Sequence, residues 1–210
     1  DLLPVALVGR VPLVLFVHPS VPATDLKGLI ELMKKNPGKY DYATFGNGSS
    51  AHLTMEMLKL SAGVDVRHIP YKGSSAAIND VLGGQVLMAM DTLQSAQPHF
   101  LAGKLRPIAM SGETRSSLAP QLPTFAELGY PKMTLSPWYG VFVPTGTPGA
   151  IVEQLASAIS RTMRTSDMQA QLATQGAELM VLTGADARTF LVKDDVRWAE
   201  AARISGAQLD

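Results

Sequence analysis

Between residues 40 and 110, short apolar stretches alternate with segments of helical period, and the loops between them are only a few residues long. No other feature of the chain constrains its fold as much. Residues 40–45, 66–69, 85–90 and 105–110 read as strands, and 49–60, 74–82 and 93–102 as the helices between them. Strands that recur after a helix and a short loop must lie side by side, with the helices covering their faces. The pattern therefore predicts an α/β layer fold with a mainly parallel sheet. Upstream, 5–17 reads as one or two strands. Thr24 or Asp25 then caps a helix to about Lys35, with Leu26, Leu29, Ile30 and Met33 on one face.

The rhythm lapses after Ser111, where Pro120, Pro123 and Pro131 punctuate a loop-rich stretch around a short helix near 124–128. A strand is expected over 133–143. Thr147 as N-cap and Pro148 at the first position open a long helix with the apolar stripe Ile151, Leu155, Ile159 and Met163. Helices over 167–175 and 185–202 make the C-terminal third mostly helical.

Composition removes several function classes. Hydrophobic residues make up 46% and charged residues 17%, enough to bury a sizeable core. With 18 basic and 18 acidic residues there is no basic excess, so no nucleic-acid partner is expected. The absence of cysteine rules out disulfides, cysteine nucleophiles and thiolate metal sites. No apolar run approaches the roughly 20 residues of a membrane span. Asp1-Leu2-Leu3-Pro4 lacks the charged start of a signal peptide.

One strand-to-helix loop stands out, Gly46-Asn47-Gly48-Ser49-Ser50, followed by His52. Its small residues let a ligand approach the backbone, and the first N–H groups of a helix attract an anion. It reads either as a carboxylate or phosphate cradle or as an ordinary β-α turn. A second loop, Pro70-Tyr71-Lys72-Gly73, offers Tyr71 as a shield for a ligand; Lys72 reads as a solvent lysine. Asp91, at the end of an apolar strand, either faces a cleft or caps the next helix. Of the four histidines, none has a partner at i+4 that would suggest a metal site, so none is expected. His52 is the one placed to meet a ligand, whereas His18, His68 and His99 read as locally hydrogen-bonded. No Gly-x-Ser-x-Gly elbow, P-loop or cofactor motif is present, and no catalytic residue is assigned.

Phe45-Gly46-Asn47-Gly48-Ser49-Ser50-Ala51-His52-Leu53 resembles a signature of the tripartite tricarboxylate transporter solute receptors, the Bug or TctC-type periplasmic binding proteins. His68-Ile69-Pro70-Tyr71-Lys72-Gly73 is similar to that family's Val-Pro-Tyr-Lys-Gly block. The blocks at 76–86, 102–109, 122–129 and 138–148 follow in the family's order. Each is modest by itself, and the shared order is specific.

The resemblance implies a type II periplasmic-binding-protein-like fold with one complete α/β lobe, 19–136, and with 1–18 and 137–210 supplying crossing strands and C-terminal helices of the other. It implies a small carboxylate ligand, a periplasmic location and integral-membrane transporter subunits as partners. Ligand contacts would come from Asn47, Gly48, Ser49, Ser50 and His52, with Tyr71 a neighbour and Asp91 where the family has an acid facing the cleft. Family members extend further at the N-terminus, with a Pro-Gly-Gly loop that nothing here resembles. Exposed C-terminal helix faces would then pair with another copy. Two other readings remain: a hydrolase or transferase using Ser49 or Ser50 with His52, and a sensing module docking on a signalling partner.

Overall fold

The computed structural model describes residues 2–206. The chain runs β1 (Leu2–Arg10), β2 (Leu13–Val17), α1 (Leu26–Lys35), β3 (Asp41–Thr44), α2 (Ser50–Ala62), β4 (Arg67–Pro70), α3 (Ser74–Leu82), β5 (Met88–Thr92), α4 (Leu93–Leu101), β6 (Arg106–Met110), β7 (Trp138–Pro144), α5 (Gly149–Met163), α6 (Ser166–Thr174), β8 (Glu178–Thr183) and α7 (Gly184–Ser205). It forms two compact units. One is Pro12–Ser136 with the chain from Glu200 onward; the other is Pro137–Ala199 with the chain up to Val11.

The first unit is built on a five-stranded sheet in the order β4-β3-β5-β2-β6. β3 pairs in parallel with β4 and β5, and β2 runs antiparallel between β5 and β6. Four strands thus point one way and the interior strand β2, next to the β6 edge, runs against them. β3, β4, β5 and β6 each follow a helix that returns the chain to the same edge, whereas β2 comes before the first such crossover. Leu13–Val17 is buried along its whole length, which explains its unbroken apolar run. Phe16 meets Phe100 of α4 edge-on at 5.5 Å, over a core that includes Ala43, Ile78, Val81 and Ala89. Each such buried Phe, Leu or Ile stabilises by roughly 1.5–3 kcal/mol. α1 buries Leu26, Leu29, Ile30 and Met33, the four residues its spacing picks out.

Among α1 to α6, helix starts follow capping chemistry with two exceptions. Asp25 accepts the Gly28 N–H at 2.7 Å to cap α1, and Thr92 caps α4. The cap position of α3, expected at Ser74 or Ser75, is Gly73, with φ of 114° and no side-chain bond. Ser74 is the first helical residue instead, and its hydroxyl goes elsewhere. α5 begins at Gly149 with Pro148 at the cap position, while Thr147 donates its hydroxyl to the Pro144 carbonyl.

In the second unit β1 lies between β7 and β8, antiparallel to both. β8 fills the stretch left unassigned between the two expected C-terminal helices: Glu-Leu-Met-Val-Leu-Thr is a strand between them. Two further expectations shift. Residues 125–129 form a run of turns rather than a helix, following a parallel bridge from Thr124 to Met110, and β7 begins at Trp138, after a 3-10 turn at Pro131–Met133. Asp194 of α7 accepts both indole N–H groups, from Trp138 of β7 at 2.8 Å and from Trp198 at 2.9 Å. Of the expected stripe on α5, Met163 is buried, but Ile151 and Leu155 are exposed.

Candidate functional site

Three strand-to-helix loops lie side by side at the carboxyl ends of β3, β4 and β5, the edge at which α/β sheets bind ligands. Backbone bonds stitch the first two together. The Tyr71 N–H donates to the Thr44 carbonyl at 3.0 Å, and the Gly73 N–H to the Phe45 carbonyl at 3.2 Å.

The first loop carries the candidate cradle. Gly48 has φ of 66°, in the left-handed region, so glycine is needed at this position. Ser49 is the N-cap of α2: its Oγ accepts the His52 N–H at 3.3 Å and donates to the Gly46 carbonyl at 2.7 Å. Asn47, Gly48, Ser49 and Ser50 are half-buried. The N–H groups of Ser50 and Ala51 have no acceptor among the described residues, as the first turn of a helix requires. They point out of the positive end of the helix dipole.

Beneath this loop lies a cluster that the sequence does not announce. His52 Nδ1 accepts the Gly48 N–H at 3.1 Å. The His52 ring stacks on His68 of β4, with centroids 3.8 Å apart and planes 13° from parallel. The other face of His68 rests on Tyr42, at 4.9 Å. His68 Nε2 meets Thr44 Oγ1 at 2.7 Å, and Thr44 in turn donates to the Gly46 carbonyl. The Tyr42 hydroxyl donates to Glu56, which also binds Lys59 at 2.7 Å. Burial lowers the His52 imidazole below its ordinary range, with Lys59 adding to the effect and Glu56 opposing it. Burial, and then the neighbouring His52 and Lys59, push His68 down to about 4. Both rings are therefore uncharged at neutral pH.

Against the expectation of a locally bonded ring, His68 is the layer between Tyr42 and His52. The parallel register that sets Tyr42 opposite His68 explains why, and no local pattern carries that pairing. His18, by contrast, does bond locally, to Ser20.

Tyr71 borders the loop, but its hydroxyl is committed to Asp80 of α3 at 2.6 Å, and burial with that bond pushes it up to about 12. Lys72 is exposed. Asp91 lies inside β5 and is fully buried. Its Oδ1 accepts from Ser74 Oγ at 2.8 Å and from the Thr92 N–H at 2.7 Å, while Oδ2 has no partner among the described residues. The capping role weighed for Asp91 falls to Thr92, whose Oγ1 accepts the Ser95 N–H. Asp91 instead tethers the start of α3. Burial raises its carboxyl above the ordinary range, against the bonds from Ser74 and Thr92. Next to Ser74, a cavity of about 380 Å³ opens between α3 and α4, lined by Ser75, Asn79, Ser95 and His99. A larger one, about 650 Å³, lies wholly in the other unit.

Neither Ser49 Oγ nor the His52 ring is arranged for nucleophilic attack. Ser49 reaches His52 through its backbone N–H, and the ring nitrogen nearest the loop already accepts from Gly48.

This sheet, with its loops at the strand ends, is the architecture of the periplasmic solute-binding proteins. The structure of R. palustris Rpa4515 with adipate matches 99% of this chain with a TM-score of 0.91 and 31% identity, over 69% of its own length. Periplasmic binding protein BugD matches with a TM-score of 0.85 and 30% identity, over 98% of this chain and 69% of its own. MatC from Rhodopseudomonas palustris with bound malate matches with a TM-score of 0.79 and 28% identity, again over 98% and 69%. In sequence, Protein BugT of Bordetella pertussis is 38% identical over 209 residues, which is all of this chain and 64% of that protein. The family model described as the tripartite tricarboxylate transporter family receptor matches residues 1–204, and the chain belongs to that family. It spans about two-thirds of the length of these relatives.

Proposed function

We propose that this chain is the ligand-capturing part of a periplasmic receptor that takes up a small carboxylate and hands it to a membrane transporter of the tripartite tricarboxylate type. The Pro12–Ser136 unit is the binding lobe in this reading, and the start of α2 holds one carboxylate. The observation that carries it is the pair of unaccepted N–H groups at Ser50 and Ala51, at the head of a helix and behind a glycine loop. Such donors balance a negative charge without a lysine or arginine. The adipate and malate bound by structural relatives belong to the same chemical class. Ser49, whose hydroxyl shapes the loop, serves binding rather than catalysis.

Calorimetry with adipate and malate at neutral pH tests the reading directly. Ser50→Pro sharpens it: proline lacks the N–H yet suits the first helical position. Removing one donor to a charged ligand is expected to weaken binding about tenfold or more, with circular dichroism unchanged. Ser50→Ala is the control for the hydroxyl. Equal affinity in Ser50→Pro and the parent chain would remove the cradle from this account.

A further inference from the structure

We propose that His52 and His68 are positioning residues, an uncharged stacked pair that holds the Gly46–Ser50 loop in its anion-ready shape and lets go of it on acidification. This rests on the reading of that loop as the cradle.

The geometry supplies the reason. The Gly48 N–H donates to His52 Nδ1, so the ring's own proton sits on Nε2, facing Glu56 Oε1 at 3.9 Å. That bond spans the turn at which Gly48 takes its left-handed φ. A second proton on His52 would have to sit on Nδ1. Two donors would then face one another across 3.1 Å, and the Gly48 amide would lose its acceptor. The loop's one imidazole anchor becomes a repulsive contact.

His68 makes the system tight. It stacks on His52 at 3.8 Å, a distance at which two imidazolium charges cannot coexist at low cost. Thr44 Oγ1 gives its proton to the Gly46 carbonyl, so His68 Nε2 donates to Thr44. His68 thus braces the loop at Gly46 through Thr44, and at Gly48 through His52.

The charged groups around the pair come from every side. α2 itself contributes Glu56 and Lys59, which neutralise each other at 2.7 Å. β3 contributes the Tyr42 phenol, bonded to Glu56, and Asp41, paired with Arg67 of β4 at 2.7 Å. β5 packs on α2 and carries Asp91, held by Ser74 and Thr92; the Pro131–Met133 turn also packs there and carries the exposed Lys132. Among the described residues the acid that faces His52 is Glu56, already shared between Tyr42 and Lys59, and its pull toward the charged ring is outweighed by burial.

The test needs no ligand. Heteronuclear NMR of the 210-residue chain is followed from about pH 8 to about pH 4, the range in which histidines titrate. The Gly48 amide signal should shift with the same midpoint as the His52 ring, while the amide of Ala96 in α4 stays put. Gly48 hydrogen exchange should rise by about tenfold beyond its intrinsic pH dependence, the loss of one hydrogen bond. In His52→Asn the side-chain oxygen replaces Nδ1 as acceptor and does not titrate, so the Gly48 response should vanish. A Gly48 amide that ignores the His52 titration, or one that keeps its response in His52→Asn, overturns the proposal. Adipate calorimetry separates the two claims. If adipate and malate do not bind at neutral pH while Gly48 follows His52, the cradle reading fails and the positioning role stands. If adipate binding instead strengthens as the rings gain charge, the release on acidification is wrong.

Discussion

At the scale of single residues, Gly48 carries a backbone angle that side chains avoid. Gly48→Ala should destabilise the chain by about 1 kcal/mol, read from the urea midpoint, because a Cβ is unfavourable at that φ. His68 sets a pH dependence of stability. Above pH 6.5 its ring is neutral in both the folded and unfolded chain. Between 6.5 and about 4 the unfolded chain binds the proton and the folded chain does not, so stability falls as pH falls and the loss is complete below about 4. His68→Gln keeps a donor toward Thr44 and removes the titration, so its thermal midpoint should fall less over that range. Asp91 works in the opposite sense. Its carboxyl is raised from 3.8, so the folded chain takes that proton at higher pH than the unfolded chain and gains stability on acidification. Asp91→Asn should therefore lose stability more steeply with acid than the parent does, which a pH series of thermal melts would reveal. Of these residues, Gly48, Ser49 and His52 were legible as a group, because a glycine loop before a helix is a local pattern. His68, Thr44 and Ser74 were not: their partners arrive from neighbouring strands and loops, and nothing within a few residues announces them.

At the scale of elements, the alternating segments of residues 40–110 are strands and helices as their periodicity requires, because each is long enough to show its period and ends at a glycine or a cap. β8 was hidden for a local reason. Its six residues follow two helical segments without a turn signal beyond Gly176, and half-burial leaves no clean alternation. The link between β7 and α7 was equally invisible, since Trp138 and Asp194 are 56 residues apart. Asp194→Ala strands two indole donors at once. It should cost roughly 2 kcal/mol and shift tryptophan emission, because both tryptophans of the chain bond to this carboxylate.

At the scale of the whole molecule, the two units are unequally furnished. Most of the fully buried side chains, among them Phe16, Tyr42, Met55 and Phe125, belong to Pro12–Ser136, whereas α6 buries none and Val192 and Val196 of α7 are exposed. Both tryptophans lie in the less furnished unit. In a urea titration, tryptophan fluorescence should therefore change at a lower midpoint than circular dichroism; coincident transitions would mean that the chain unfolds as one cooperative body. The sequence indicated an α/β layer and a mostly parallel sheet, but not the strand order. The place of β2 depends on which strands it meets after three crossovers, and an apolar run looks the same at the centre of a sheet as at its edge.

That place of β2 has a consequence for how the chain is made. During synthesis Leu-Val-Leu-Phe-Val emerges before both strands that flank it: β5 comes only after α1 to α3 have been produced, and β6 only after α4. The bond from the Leu13 N–H to Ser111 spans 98 residues. A ribosome must therefore extrude a sticky ribbon long before its seat exists, and folding should be slow for a chain so rich in helix. Pro12 and Pro19, which cannot donate to a neighbouring strand, bracket the ribbon and blunt it against other nascent chains while it waits.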